Sequence, residues 1–398
     1  METKNSYKII IVGGGTGGIT VAARLKNIDP NLEIALIEPS KKHYYQPLWT
    51  LVGGGVFNKE ETERNESDYI PEGVEWIQEH VDSFSPESNK IKTKEGKELS
   101  YEYLVISTGM ELNWDKVKGL KENLGKNGVC SNYSYETVDY TWQFVQNFKG
   151  GTAVFTQPST PIKCGGAPQK ALYLSEDYFR TKSKVRDKTR LVFFSGLAGI
   201  FGVPKYKKSL EKVLKRKEIE SHFRNELVEI IGDKKEAVFK NVDTQEETRI
   251  NFDLLHVVPP MSTHEFIKKS SLVDATGFVD VNKFTLQHTK YSNIFALGDC
   301  TNLPTARTGA AIRKEAPVLV SNLLSVMESK IPSENYNGYS SCPLVTGYGS
   351  LILAEFDYDS QPTESFPFDQ SQERFSMYML KAYVLPQMYW NGMLKGRM

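Results

Sequence analysis

Cysteine is scarce in this sequence. Four in 398 residues are too few and too scattered for a disulfide scaffold, and none lies in a CxxC or Cys/His cluster of the kind that holds zinc, so no metal site is expected. Any two that pair are expected to do chemistry rather than staple the fold. An excess of one charge is missing too. Lys+Arg and Asp+Glu each total 49, and without a long basic tract nucleic acid is not an expected partner. No uncharged apolar run reaches the roughly 20 residues of a spanning helix; the longest uncharged stretch, 335–354, is broken by Gly, Pro and Ser. The opening METKNSYK leads straight into the apolar residues 9–12 and leaves no room for a signal peptide, which predicts a cytoplasmic protein or a trimmed organelle protein. What remains, 39% hydrophobic and 25% charged, is a globular chain of two to three ordinary domains.

The first 40 residues carry the plainest motif. YKIIIVGGGTGGITVAARLKNIDPNLEIALIEPS combines a β-branched strand, a glycine turn, an Ala/Leu-rich helix and a second strand ending at Glu38, which is a βαβ unit. Gly13, Gly15 and Gly18 satisfy GxGxxG, and Gly14 and Gly17 fill the same turn. Such glycines permit a tight turn, close approach of a pyrophosphate to backbone, and tight helix-on-strand packing. The helix N-terminus adds amide donors and a positive dipole end. Glu38, about 20 residues after Gly18, stands where an acid accepts hydrogen bonds from an adenosine ribose.

Which dinucleotide binds is decided further along. YLVISTG at 103–109 and NIFALGD at 293–299 both read as buried strands, ending in Thr108-Gly109 and in Gly-Asp. They resemble the two later FAD motifs of the two-dinucleotide-binding-domain flavoproteins, and that likeness implies that Asp299 holds the ribityl chain. In the middle of the chain a strand at 190–194 is followed by SGLAGIFG. Gly196 and Gly199 are there without GxGxxG spacing, and Leu197, Ile200 and Phe201 crowd the place where a second pyrophosphate would meet backbone. A nicotinamide donor is therefore disfavoured, and a smaller reductant is expected.

Cys164 stands in TPIKCGGAPQK, after a strand at 152–156 and before a helix expected from about Gln169. A thiol near a helix N-terminus and beside Lys163 is expected to have a lowered pKa. Cys342 stands in GYSSCPLVTGYG, read as a Gly/Ser/Pro-rich loop that presents a reactive group. Around these cysteines the motifs HYYQPLWTLVGGG, KCGGAPQKALYLSE, FGVPKY, GDCTNLPT, SCPLVTGYGSLILAEFDY and FPFDQSQERFSMYMLK resemble the sulfide:quinone oxidoreductases, in particular the two-cysteine branch that includes the mitochondrial enzymes. The likeness runs nearly end to end. It implies that Cys164 and Cys342 form a redox pair, joined by a disulfide or trisulfide, beside FAD. It further implies oxidation of hydrogen sulfide through a persulfide on Cys342, electron delivery to ubiquinone or menaquinone, and sulfur transfer to sulfite, a thiol, cyanide or sulfide. Gln46, Lys170 and Arg307 enter as flavin-side residues, and Val81 as an FAD-binding residue, through the resemblance alone. Arg313 and Lys314 depart from the small uncharged residues of that branch. Cys130, followed by SNYS, and Cys300, beside Asp299, are expected to do no redox work.

The fold class expected is α/β, with two Rossmann-like dinucleotide-binding domains and a C-terminal amphipathic helical region. A discontinuous FAD domain takes 1–112 and 262–330, a second domain with a degraded nucleotide site takes 113–261, and 331–398 forms a quinone and membrane-interface region. The aromatic, basic and apolar segment 374–398, divided by Pro386 into two helical stretches, suits a monotopic anchor. The location implied is the cytoplasmic face of a bacterial inner membrane or the mitochondrial matrix face, as a peripheral protein for which a second copy of the chain is a candidate partner in a homo-oligomer. Two rival readings stay open: a type II NADH:quinone dehydrogenase, which needs a working second nucleotide site, and a flavoprotein that only senses redox state.

Overall fold

The computed structural model describes residues 4–398. Strand β1 (Ser6–Val12) is a continuous β-branched run whose last four residues are all buried, the pattern of a parallel strand covered on both faces. After the glycine turn, α1 (Thr16–Ile28) starts from Gly15 without a side-chain cap, so its first amides stay free for an outside acceptor. The chain returns as β2 (Ile34–Ile37), parallel to β1. On the other side of β1 lies β3 (Glu98–Ile106), also parallel. The sheet order is 74–77, β2, β1, β3, 90–93, 81–85, and the strand Ile294–Ala296 pairs in parallel with β3. Residues from the first quarter of the chain and from its last third thus build one sheet.

A second, five-stranded parallel sheet is built from the middle of the chain. Its centre is β4 (Gly151–Gln157), between Leu254–His256 and β5 (Thr189–Ser195). Helix α2 (Ala167–Thr181) follows β4, and α3 (Pro204–Arg216) follows β5. A three-stranded antiparallel sheet over 225–251 packs beside it. Helix α4 (Gly309–Met327) then packs on α1. The hairpin of β6 (Ser340–Gly347) and β7 (Ser350–Phe356) follows, with β6 packed on α2.

The chain ends in helix, and here the expectation of a break at Pro386 is corrected. Helix α5 (Phe375–Met379) runs through a π-helical turn, Leu380–Val384, into α6 (Leu385–Asn391), with Pro386 in the first turn of α6. The proline falls where its missing N–H costs little, directly after a turn whose hydrogen bonds are already re-registered. Tyr389, Trp390, Met393 and Leu394 are buried in the first core, whereas Phe375, Met379, Tyr383 and Val384 are exposed by 66%, 38%, 50% and 46%. Spacings of four place Phe375, Met379 and Tyr383 along one side of the stretch, with Val384 next to the last of them. No helix among the described residues is long and apolar enough to cross a membrane.

Candidate active site

The glycine turn has the geometry of a diphosphate cradle. Gly13 has φ +101°, and a Cβ at Gly18 would lie 1.8 Å from the Gly13 carbonyl oxygen, so neither position admits a side chain. Gly17 packs against Ser107 and Leu297, while Gly15 faces space free of protein atoms. Glu38 lies across the turn, where its two carboxylate oxygens accept from the amides of Gly14 and Ser40 at 2.8 Å each. Burial raises its pKa against those hydrogen bonds. Val81 opens the strand 81–85, its side chain packed into the first core, four residues past Ile77, whose carbonyl accepts from the Glu38 amide.

The other end of the site is where the two sheets meet. Thr108 Oγ1 is buried without a partner, and Gly109 (φ +68°) again faces open space. Asp299, half-buried, is pushed up to about 6 by burial, against the pull of Arg307 and Lys163. The Arg307 guanidinium donates to the Asp299 and Thr301 carbonyls and lies over the Phe278 ring, 4.7 Å from its centre. Gln46 accepts from Lys163 Nζ at 2.7 Å. A cradle open at Gly15 and Gly109, an unpartnered hydroxyl at Thr108 and an array of polar groups around Asp299 fit a dinucleotide stretched from the α1 N-terminus to Cys164.

Cys164 and Cys342 are brought together. Both are free thiols that interact directly, Cys164 half-buried and Cys342 buried. Cys164 sits just before α2, which starts at Ala167 rather than near Gln169. Its φ is +57°, a left-handed conformation that non-glycine residues adopt at a cost, and its amide donates to the Arg307 carbonyl at 3.0 Å. Two expectations are corrected. Lys163 points to Gln46, and the lysine that reaches the sulfur is Lys170, one to two helical turns on, whose Nζ lies 3.4 Å from Cys164 Sγ. Cys342 is not in a loop but inside strand β6, opposite Ala354. Hairpin pairing satisfies the backbone there, so glycine, serine and proline content misread as loop chemistry. The hydrogen bond with Cys342, then the positive charges of Lys170 and Lys381, hold the Cys164 thiol well below the ordinary range, against burial. The same hydrogen bond and burial push Cys342 well up.

Lys381 was not singled out by sequence reasoning. It is 2% exposed in the π turn, donates to the Pro47 carbonyl at 2.7 Å, and is lowered to about 7 by burial and by Lys170, with Cys164 pulling the other way. Glu315 was missed as well. It is buried, raised to about 7 by burial, and accepts from the Gly298 amide at 2.8 Å, which holds the turn carrying Asp299. A sequence signal existed for Lys381, a lone cation in an apolar helical segment. Cys130 and Cys300 are fully buried, and burial pushes their thiols up to about 12 and about 11. Arg313 and Lys314 both lie over the Tyr339 ring, Arg313 also donating to its hydroxyl.

The loop after β5 forms no second cradle. Eight residues separate β5 from α3, and a Cβ at Gly196 would meet the Ser159 amide at 2.6 Å. Ile200 and Val203 turn inward, into the hydrophobic cluster that also holds Cys342 and Leu344, and the Ile200 carbonyl accepts from Gln169 of α2.

Residues 7–138 and 201–319 match the family model described as pyridine nucleotide-disulphide oxidoreductase. A Dictyostelium discoideum protein named as a mitochondrial sulfide:quinone oxidoreductase is 53% identical over 399 residues, which cover 100% of this chain and 88% of that protein. The chain belongs to the sulfide:quinone oxidoreductases. A Mus musculus protein of the same name is 48% identical over 394 residues, with 99% of this chain and 87% of that one covered. The solved sulfide:quinone oxidoreductase of Aquifex aeolicus, at 21% identity, shares the fold with a TM-score of 0.82 over 98% of this chain and 92% of that chain. As a sulfide:quinone oxidoreductase family member the chain is an oxidoreductase and an FAD-dependent flavoprotein.

Proposed function

We propose that this chain oxidises hydrogen sulfide through Cys164 and Cys342 and passes the electrons by way of FAD to a membrane quinone. The observation that carries this reading is the pair of thiols set side by side with Lys170 Nζ 3.4 Å from the Cys164 sulfur. In thiol–disulfide exchange the thiol of lower pKa is the better leaving group. When the pair is oxidised, hydrosulfide attacks the Cys342 sulfur, the bond to Cys164 breaks, and Cys164 departs as a thiolate held by Lys170 and Lys381. The new sulfur stays on Cys342 as a persulfide until a small nucleophile such as sulfite, a thiol, cyanide or a second sulfide removes it. When bound, FAD supplies the two-electron oxidation that closes the Cys164–Cys342 bond again, with loss of the two thiol protons, and relays the electrons to the quinone. Gly13, Gly14, Gly15, Gly17 and Gly18 would receive the diphosphate, Glu38 and Val81 the adenosine end, Thr108, Gly109 and Asp299 the ribityl chain, and Gln46, Lys170 and Arg307 the ring end.

The domain limits proposed are 1–112 with 262–330 for the flavin domain, 113–261 for the second domain and 331–398 for the C-terminal region. The exposed row Phe375, Met379, Tyr383 and Val384 supports attachment of that region to a bilayer surface, where a quinone can enter. Relatives named as mitochondrial support a mitochondrial, membrane-associated location. The test is anaerobic mixing of the oxidised, FAD-loaded protein with sulfide or, separately, with NADH, followed by a short-chain quinone. Bleaching of the flavin by sulfide and recovery on quinone are expected; bleaching by NADH alone overturns the reading in favour of an NADH dehydrogenase.

A further inference from the structure

A second buried polar network, not used by the sulfur chemistry, joins the C-terminal helix to the glycine turn. His43, Glu66 and Tyr389 are 3%, 1% and 5% exposed. Glu66 Oε2 lies 3.0 Å from His43 Nδ1, His43 Nε2 lies 2.6 Å from the Tyr389 hydroxyl, and that hydroxyl lies 2.9 Å from Thr16 Oγ1. His43 thus bridges Glu66 and Tyr389 through its two ring nitrogens, which fixes the plane of the ring for Tyr389. The rings of Tyr45 and Trp390 close around the Tyr389–His43 contact. Thr16 is the first residue of α1, so its amide is one of those left without an intrahelical acceptor and available to a diphosphate. The network also backs the turn at a second point, since a Cβ at Gly14 would meet Glu66 Oε1 at 2.6 Å. At the other end of the same helical stretch, Lys381 is bonded to the Pro47 carbonyl and lies in the field of Cys164. The stretch from Phe375 to Asn391 is thus fastened at both ends of the flavin site.

We propose that Tyr389 is a positioning residue that couples docking of the C-terminal helix to flavin binding. The docked helix holds Thr16, and with it the first amides of α1, in place to receive the diphosphate; bound flavin in turn holds the helix down. The coupling is reciprocal because both events draw on one equilibrium. Buried members of such a network have no water to replace a lost partner, so removing one hydroxyl is felt along it. This inference rests on the chain being an FAD protein and is independent of the sulfide reading.

The experiment compares the flavin-loaded full chain with Tyr389→Phe, Thr16→Val, the double variant and Thr16→Ser. Flavin released on dilution is read by its fluorescence, and chymotryptic cleavage within 375–398 is followed with flavin bound and after it is stripped. Tyr389→Phe, which loses the bonds to His43 and Thr16, and Thr16→Val, which loses the part-buried bond between Thr16 and Tyr389, are each expected to weaken flavin affinity roughly five- to tenfold. The double variant is expected to be no weaker than either, and Thr16→Ser to match the parent. Stripping flavin should speed cleavage several-fold in the parent but not in Tyr389→Phe. Unchanged flavin affinity in Tyr389→Phe, additive losses in the double variant, or cleavage that ignores flavin in the parent would each overturn the proposal. A failure of sulfide to bleach the flavin would leave these readouts untouched.

Discussion

Replacing Lys381 by Met makes a prediction that can be worked through in numbers. The ammonium is 2% exposed, and burial together with Lys170 lowers its pKa from 10.5 to about 7. Below about pH 7 folded and unfolded chains both hold the proton, and the cost of burying the charge is felt in full. Above it the folded chain releases the proton while the unfolded chain keeps it up to about pH 10.5, so this site adds stability as pH rises. Integrating the difference in bound protons gives a change of about 3 kcal/mol between pH 6 and pH 9. With an unfolding entropy of about 2.1 cal/mol/K per residue, this amounts to roughly 3 °C in Tm. Methionine does not titrate, and its loss of the bond to Pro47 is a constant offset. Thermal unfolding of parent and Lys381→Met across this range should therefore show the variant gaining most, relative to the parent, at pH 6 and losing that relative gain by pH 9. A gap between the two proteins that does not change with pH would refute the assignment of a buried, titrating ammonium beside Cys164.

Other outcomes are expected from the same geometry. Cys164→Ser and Cys342→Ser should each retain flavin yet leave it unbleached by sulfide in anaerobic mixing, because each removes one sulfur of the exchanging pair. Lys170→Met takes a cation 3.4 Å from the Cys164 sulfur and should raise that thiol's pKa, seen as slower alkylation of Cys164 at pH 7 with the rate restored at higher pH. Gly18→Ala puts a methyl group 1.8 Å from the Gly13 carbonyl and should yield protein purified without flavin, read directly from its visible absorbance. Asp substitutions at Phe375 and Tyr383 should reduce sedimentation with lipid vesicles while leaving sulfide-dependent bleaching in solution unchanged.

Much of the flavin end was legible because its chemistry is written in short range. Gly13, Gly18 and Glu38 fall at fixed offsets within one βαβ unit, and the strands leading to Thr108 and Asp299 announce themselves as apolar runs ending in Thr-Gly and Gly-Asp. The redox end was legible only by likeness. Cys164 and Cys342 come from the start of a helix and the middle of a hairpin strand, and no local period predicts that α2 packs on β6. Local reading went wrong in the same place: adjacency in sequence favoured Lys163, whereas the helix turns Lys170 toward the sulfur. Glu315 and the His43–Tyr389 contact depend on meetings between distant segments, which composition and spacing do not encode, and Lys381 stood out only as a lone cation in an apolar stretch.

The loop at 196–203 ties the choice of electron donor to the protection of the reactive sulfur. Its inward-turned Ile200 and Val203 stand in the cluster that encloses Cys342, and its Ile200 carbonyl fastens Gln169 of the helix that follows Cys164. To open this loop into a glycine cradle for a nicotinamide would strip the wall from one cysteine and unfasten the helix beside the other. The side chains that fill this loop thus serve two ends at once: they occupy the room a second nucleotide would need, and they wall the Cys342 sulfur into an apolar cluster.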